Sequence, residues 1–177
     1  MIGSKRALAV AALLLALPLA GCFGKTSAEQ LQCPDAQPAP GLENIAIFGP
    51  GAERTMQNVQ IAGKIVAVNR DCDQEKGGIE IKALITFSAG RSSPQVRRAE
   101  FPYFVAVVDI NQTILNEQRF TVPLTFSGSD FATAQEKITI HLPVQRTSAG
   151  RNFAILVGFQ LTAEQRDFNR AQATGQR

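Results

Sequence analysis

Apolar and polar positions alternate with a period of two along much of the chain. Ile79, Ile81, Ala83, Ile85 and Phe87 alternate with Glu80, Lys82 and Thr86. That spacing predicts a strand with one face in a core and the other toward water. Ile138, Ile140 and Leu142 alternate with Lys137, Thr139 and His141, and Pro143 ends that run. Phe153, Ile155, Val157 and Phe159 alternate after the turn residues Ser148-Ala149-Gly150. Phe120, Val122, Leu124 and Phe126 do the same, and Pro123 among them predicts an edge or bulge position. The stretch Tyr103 to Ile110 is almost continuously apolar and predicts a central strand covered on both faces. Asn111-Gln112 predicts a tight turn into a short strand at Thr113 to Leu115. Val59, Ile61, Ile65, Ala67 and Val68 form a further strand, with Gly63 expected to mark a bulge. A loop is expected around Phe48-Gly49-Pro50-Gly51.

About seven strands follow, with turn signals between them and no intervening helix. A parallel βαβ sheet is therefore not expected. The pattern predicts a mainly β fold, an antiparallel β-sandwich of immunoglobulin or fibronectin-III type. There is no Trp, so the Cys-Trp-Cys core of true immunoglobulin domains is absent. The eleven Phe residues are expected to supply the bulky core contacts. At the C-terminus, Thr162-Ala163-Glu164-Gln165 reads as a capping box. Thr at the N-cap and Gln three residues later satisfy two otherwise unpaired N–H groups. A short surface helix from Ala163 to about Ala171 is predicted, followed by a flexible tail within 162–177.

The N-terminus carries a different pattern. Lys5 and Arg6 precede an uncharged Ala/Leu run from Ala7 to Leu17, which is too short to span a bilayer comfortably. Leu19-Ala20-Gly21-Cys22 follows at once. This segment resembles the bacterial lipoprotein signal, whose lipobox is Leu-(Ala/Ser)-(Gly/Ala)-Cys. The resemblance implies cleavage before Cys22, removal of residues 1–21, and diacylglyceryl and palmitate-type acylation at Cys22. More than one acyl chain gives durable membrane attachment without a transmembrane helix. The alternative is an ordinary secretory signal, with Cys22 a free or paired thiol. Phe23 and Gly24 follow Cys22, where Asp favours inner-membrane retention in some bacteria. An outer-membrane anchor facing the periplasm is the expectation. Residues 22–43, with Pro34, Pro38 and Pro40, are expected to form a tether, and 44–161 the sandwich. Val157 to Gln165, with Asn169-Arg170 after it, is similar to a closing segment of uncharacterised Gram-negative envelope lipoproteins, as is Tyr103-Phe104-Val105-Ala106. That family brings no assigned chemistry.

Composition sharpens this picture. The 177 residues include 18 Lys+Arg and 15 Asp+Glu, and 45% are apolar. Removing residues 1–21 leaves 156 residues and takes Lys5 and Arg6 away, so the formal side-chain charge falls from +3 to +1. Nothing in that balance calls for a nucleic-acid partner. Of the three cysteines, Cys33 and Cys72 remain once Cys22 is lipidated. In an oxidising compartment the pair reads as a disulfide closing a loop of about 40 residues, worth roughly 4 kcal/mol in the chain-entropy model. A redox or metal pair is the alternative, and it lacks both a CxxC motif and a nearby histidine.

Candidate chemistry is sparse. His141 is the one histidine and alternates with apolar neighbours, so it points off the core face. No nucleophile-elbow motif accompanies it. Asp71, Asp73 and Glu75 recur every second residue, but a calcium loop begun at Asp71 places Lys76 and Lys82 where Gly and Glu are required. A solvated acidic turn closed by Gly77-Gly78 is expected instead. Arg97 and Arg98 lie in a polar loop and are candidate surface contacts for lipid phosphates or peptidoglycan carboxylates. Asn111-Gln112-Thr113 fits a glycosylation sequon that has no role in a bacterial envelope protein. No cofactor or metal site is expected. The function expected is that of a non-enzymatic envelope lipoprotein that binds another envelope protein. A ligand or cell-wall binding module is the runner-up, and a loop-built hydrolase comes third.

Overall fold

The computed structural model describes residues 30–175. They form strands β1 (Asp35–Pro38), β2 (Asn44–Phe48), β3 (Val59–Glu75), β4 (Gly78–Arg91), β5 (Arg98–Asp109), β6 (Ile114–Thr125), β7 (Phe131–Pro143) and β8 (Phe153–Phe159), then helix α1 (Ala163–Ala173). The expected short strand after Asn111-Gln112 and the alternating run from Phe120 are one strand, β6. Two strands, β1 and β2, precede the first that the hydrophobic pattern predicts.

The strands make two four-stranded sheets. One has the order β2-β3-β4-β7 and is antiparallel throughout. The other has the order β1-β8-β5-β6 and is mixed, because β1 runs parallel to β8. The wholly antiparallel expectation is corrected at this strand. The reason lies in the stretch 22–43, expected to be a tether. Its Asp35–Pro38 segment has no large apolar side chain, its alternation carried by Ala36 and Pro38 alone, yet it pairs with Ala154 to Val157. The chain then swings from the edge of one sheet to the edge of the other through Gly41, whose φ of +77° suits glycine. Ala39 N–H donates to Val157 O at 2.7 Å and Phe159 N–H to Leu42 O at 2.8 Å, so the crossing segment stays bonded to β8.

Alternation on β4 produces the core. Ile79, Ile81, Ala83, Ile85, Phe87 and Ala89 are all buried, and Phe101, Tyr103, Val105 and Val107 of β5 face them from the other sheet. Phe87 lies 4.9 Å from Tyr103 and 6.1 Å from Phe159, and Phe101 lies 5.5 Å from Phe159, between ring centroids. Such tilted and edge-on pairs add to simple area burial. Gly63 is not the bulge; β3 shifts register two residues later, between Ile65 and Ala67. Gly63 instead makes room, since a Cβ there would stand 2.6 Å from the Phe101 ring and 2.8 Å from Ile45. Pro123 does lie on an edge strand, β6.

The sandwich has two ends. The β3–β4 turn, the β5–β6 turn and the β7–β8 loop share one end, since Gly78 pairs with Pro143 and Phe153 with Asp109. Cys33 is bonded to Cys72 there, with Cα atoms 5.8 Å apart. We call this the disulfide end. The β4–β5 and β6–β7 loops and the start of α1 lie at the opposite, helix end.

Tyr103 is the one tyrosine, buried beneath stacked Phe120, and half-buried Glu136 points inward from edge strand β7. Burial, and secondarily the Glu136 charge, push its phenol up to about 12. The neutral form is thus favoured in the folded state, and stability should be intact below the ordinary tyrosine value near 10 and fall as pH rises toward 12. Absorbance titration of this lone tyrosine is expected to show ionisation near 12 or together with unfolding. Reversible ionisation near 10 in the folded protein would contradict the packing.

Candidate functional site

Strand β2 is an edge of its sheet, so half of its backbone groups lack a strand partner. Glu43 O accepts from Ile65 N–H at 2.9 Å, which turns the alternate carbonyls of Asn44 and Ala46 outward. Helix α1 meets them with two side-chain amides one turn apart. Gln165 Nε2 donates to Ala46 O at 2.9 Å and Asn169 Nδ2 to Asn44 O at 2.8 Å. The expected capping box is present: Thr162 Oγ1 accepts from Gln165 N–H and Gln165 Oε1 accepts from Thr162 N–H. One Gln165 amide therefore both caps the helix and fastens it to the sheet.

Between these amides, Phe168 is buried and meets Phe48 edge-on at 5.1 Å. Arg54 stacks 5.0 Å from the Phe48 centroid and pairs with Glu164 at 2.7 Å. Two hollows flank the helix. One of about 750 Å³ is bordered by Arg54, Met56, Asp167 and Gln172. The other, of about 510 Å³, has Ala46, Val59, Ala62 and Phe168 in its lining and Glu43 and Arg170 among its polar groups. Met56, 60% exposed, borders both. The Glu43 Oε2 atom is buried without a hydrogen-bond partner among the described residues. The arrangement is an apolar trough with charged borders, suited to holding a peptide segment or an amphipathic ligand.

The residues singled out in the sequence lie elsewhere. Cys22 falls outside the described residues. Cys33 and Cys72 are joined at the disulfide end. Arg97 and Arg98 are exposed at the helix end, remote from residues 30–34. Asp71, Asp73 and Glu75 belong to β3 itself, with the turn reduced to Lys76-Gly77. Asp73 pairs with Lys82 at 2.7 Å, and Asp71 accepts from Cys72 N–H at 3.0 Å.

Glu75, Glu80 and His141 bring ligand-type atoms within 4.8 Å of one another. Glu75 stands 3.4 Å from His141 Nδ1. Lys82 Nζ already sits 3.0 Å from Glu80, and hydrogen bonds to Asp73 and Glu80 hold its ammonium well above the usual lysine range. The depression at His141 is lined by Glu75, Lys76 and Pro143 among others, with no Ser, Thr or Cys in its lining. Among the described residues, no helix is long and apolar enough to cross a membrane.

No family model matches the chain, and neither a curated protein nor a solved structure matches it. Local pattern does not reveal the trough, because Asn44–Phe48 is short and runs straight into the loop expected around Phe48-Gly49-Pro50-Gly51. The capping box was the available signal, but its second partner, Ala46, is 119 residues away.

Gln165→Glu separates the two roles of this amide. It keeps an acceptor for Thr162 N–H but places carboxylate oxygen against Ala46 O. Both Gln165→Glu and Gln165→Ala are expected to lower stability by about 1–2 kcal/mol in urea unfolding. Wild-type stability of Gln165→Glu would show that the edge contact contributes nothing.

Proposed function

We propose that this chain is a lipid-anchored, periplasm-facing envelope protein that acts by binding another envelope protein rather than by catalysis. The lipobox resemblance at Leu19-Ala20-Gly21-Cys22 supports the anchor, and Phe23-Gly24 supports an outer-membrane destination. The trough beside α1 carries the binding role. It joins exposed Met56 to an apolar lining and bears charges of both signs, the composition of a selective protein contact. An immunoglobulin- or fibronectin-III-like sandwich is the finer architecture proposed. After β3 the chain crosses between sheets at β4–β5, β6–β7 and β7–β8, while β4 neighbours β7 and β5 neighbours β8, which supports that likeness. The parallel β1 departs from it.

A second reading, cell-wall binding, is favoured by Arg97 and Arg98. Both are exposed at the end opposite residues 30–34, and neither forms an ion pair among the described residues. Their exposure and lack of ion-pair partners among the described residues support a contact with cell-wall carboxylates.

A photocrosslinking residue at position 56, activated in intact envelopes, is expected to give a discrete protein adduct that the same residue at position 137 does not. Recovery of peptidoglycan alone from both positions would overturn the leading reading in favour of the second. Cys22→Ser is expected to release the chain from the membrane fraction. Persistent attachment of that variant would refute the anchor.

A further inference from the structure

The tip of the β5–β6 hairpin exposes three large aliphatic side chains within six residues. Ile110 is 75% exposed, Ile114 56% and Leu115 53%. Isolated exposed aliphatics need no explanation, but three at one turn form a patch. The turn is held firmly. Asp109 Oδ1 accepts from Asn111 N–H and Thr113 N–H, both at 2.8 Å, and Gln112 takes a φ of 62°. The aliphatic groups are thus presented by an ordered turn.

Register places this tip at the same end of the sheet as the point where the N-terminal segment leaves the domain, three strands across from it. Asp35 pairs with Ala154, Ala154 with Val108, and Val108 with Ile114, one row across the sheet. Residues 30–34 continue outward from that row. Cys22 precedes Cys33 by 11 residues, which reach about 40 Å at most when fully extended. A lipid on Cys22 therefore keeps the disulfide end within about 40 Å of the bilayer.

Charge at that end favours an anionic surface. Lys76, Arg146 and Arg151 are exposed in its turns and loop, and none forms an ion pair among the described residues. The nearby acids are engaged: Asp109 with the turn backbone, Asp71 with Cys72 N–H, Asp73 and Glu80 with Lys82, Asp35 with Arg70, Glu117 with Arg119 at 2.8 Å and Glu75 beside His141. An aliphatic tip flanked by unpaired cations is the chemistry of an interfacial lipid contact.

We propose that the disulfide end docks on the bilayer. Ile110, Ile114 and Leu115 enter the interfacial layer, and Lys76, Arg146 and Arg151 meet lipid phosphates. This rests on the anchor reading above. The absence of Trp allows a clean optical test. Ile114→Trp, with Met56→Trp as the control at the helix end, is reconstituted as the lipidated chain in phosphatidylglycerol–phosphatidylethanolamine vesicles. Ile114→Trp emission is expected to shift to the blue and to lose intensity when acyl chains are brominated, with Met56→Trp unchanged in both respects. Vesicle flotation without quenching at position 114 would overturn the docking and leave the anchor standing; a tip covered by protein gives this result. Failure of the wild-type chain to float would overturn the anchor, and the docking with it.

Discussion

The covalent bond between Cys33 and Cys72 decides where the N-terminal segment leaves the domain. Its sequence separation is 39 residues, and closing such a loop is worth about 4 kcal/mol through the unfolded state. In the folded state it does something more specific. Residues 35–38 have little apolar surface to bury, and a four-residue parallel strand is weak alone. Fixing Cys33 beside the end of β3 delivers Asp35 to Ala154 in register, and β1 covers an edge of β8 that would otherwise be bare. Arg70 adds a second fastening through its bond to Pro34 O and its ion pair with Asp35 at 2.7 Å.

The other edges are managed by different means. Helix α1 covers β2 with the Gln165 and Asn169 amides, which occupy the outward carbonyls of Ala46 and Asn44. Strand β7 carries half-buried Glu136 on its inward side, and β6 carries Pro123; both disfavour strand addition there. The exposed large apolar side chains gather at the two ends of the sandwich, Phe131 among them at the helix end, with Val66 exposed singly midway along β3. At the helix end, Met56 and the trough beside α1 face away from residues 30–34. At the disulfide end, the β5–β6 tip faces with them. Under the proposed anchor, one end of the domain is free for the bilayer and the other for a partner, and the two need not compete.

The hydrophobic pattern revealed the strands whose own residues dictate burial. On β4, β7 and β8 the period of two is strong enough that any partner sheet would select the same face. Strands β1 and β2 were not legible for the opposite reason. Asp35-Ala36-Gln37-Pro38 becomes a strand only because a disulfide and β8 recruit it. Asn44–Phe48 is short and merges into a loop. Gly63 shows the same limit: a glycine in an apolar run reads as a local irregularity, whereas its cause is the Phe101 ring from the facing sheet. The capping box at Thr162 was legible because it is local, and the trough was not, because Ala46 and Phe48 meet α1 only in the folded chain. The disulfide pairing was legible by counting, once Cys22 was set aside.

The proposed lipid on Cys22 and the proposed docking together set one orientation, with the disulfide end toward the membrane. The twelve residues of β5 span about 40 Å between the ends. The most direct measurement is the distance from the bilayer surface to a probe at Gln112 and, separately, at Ser129, in the lipidated chain on vesicles. Gln112 is expected to lie at the surface and Ser129 to stand farther out by a distance on the order of the 40 Å strand length. Equal distances, or Ser129 nearer than Gln112, would contradict it.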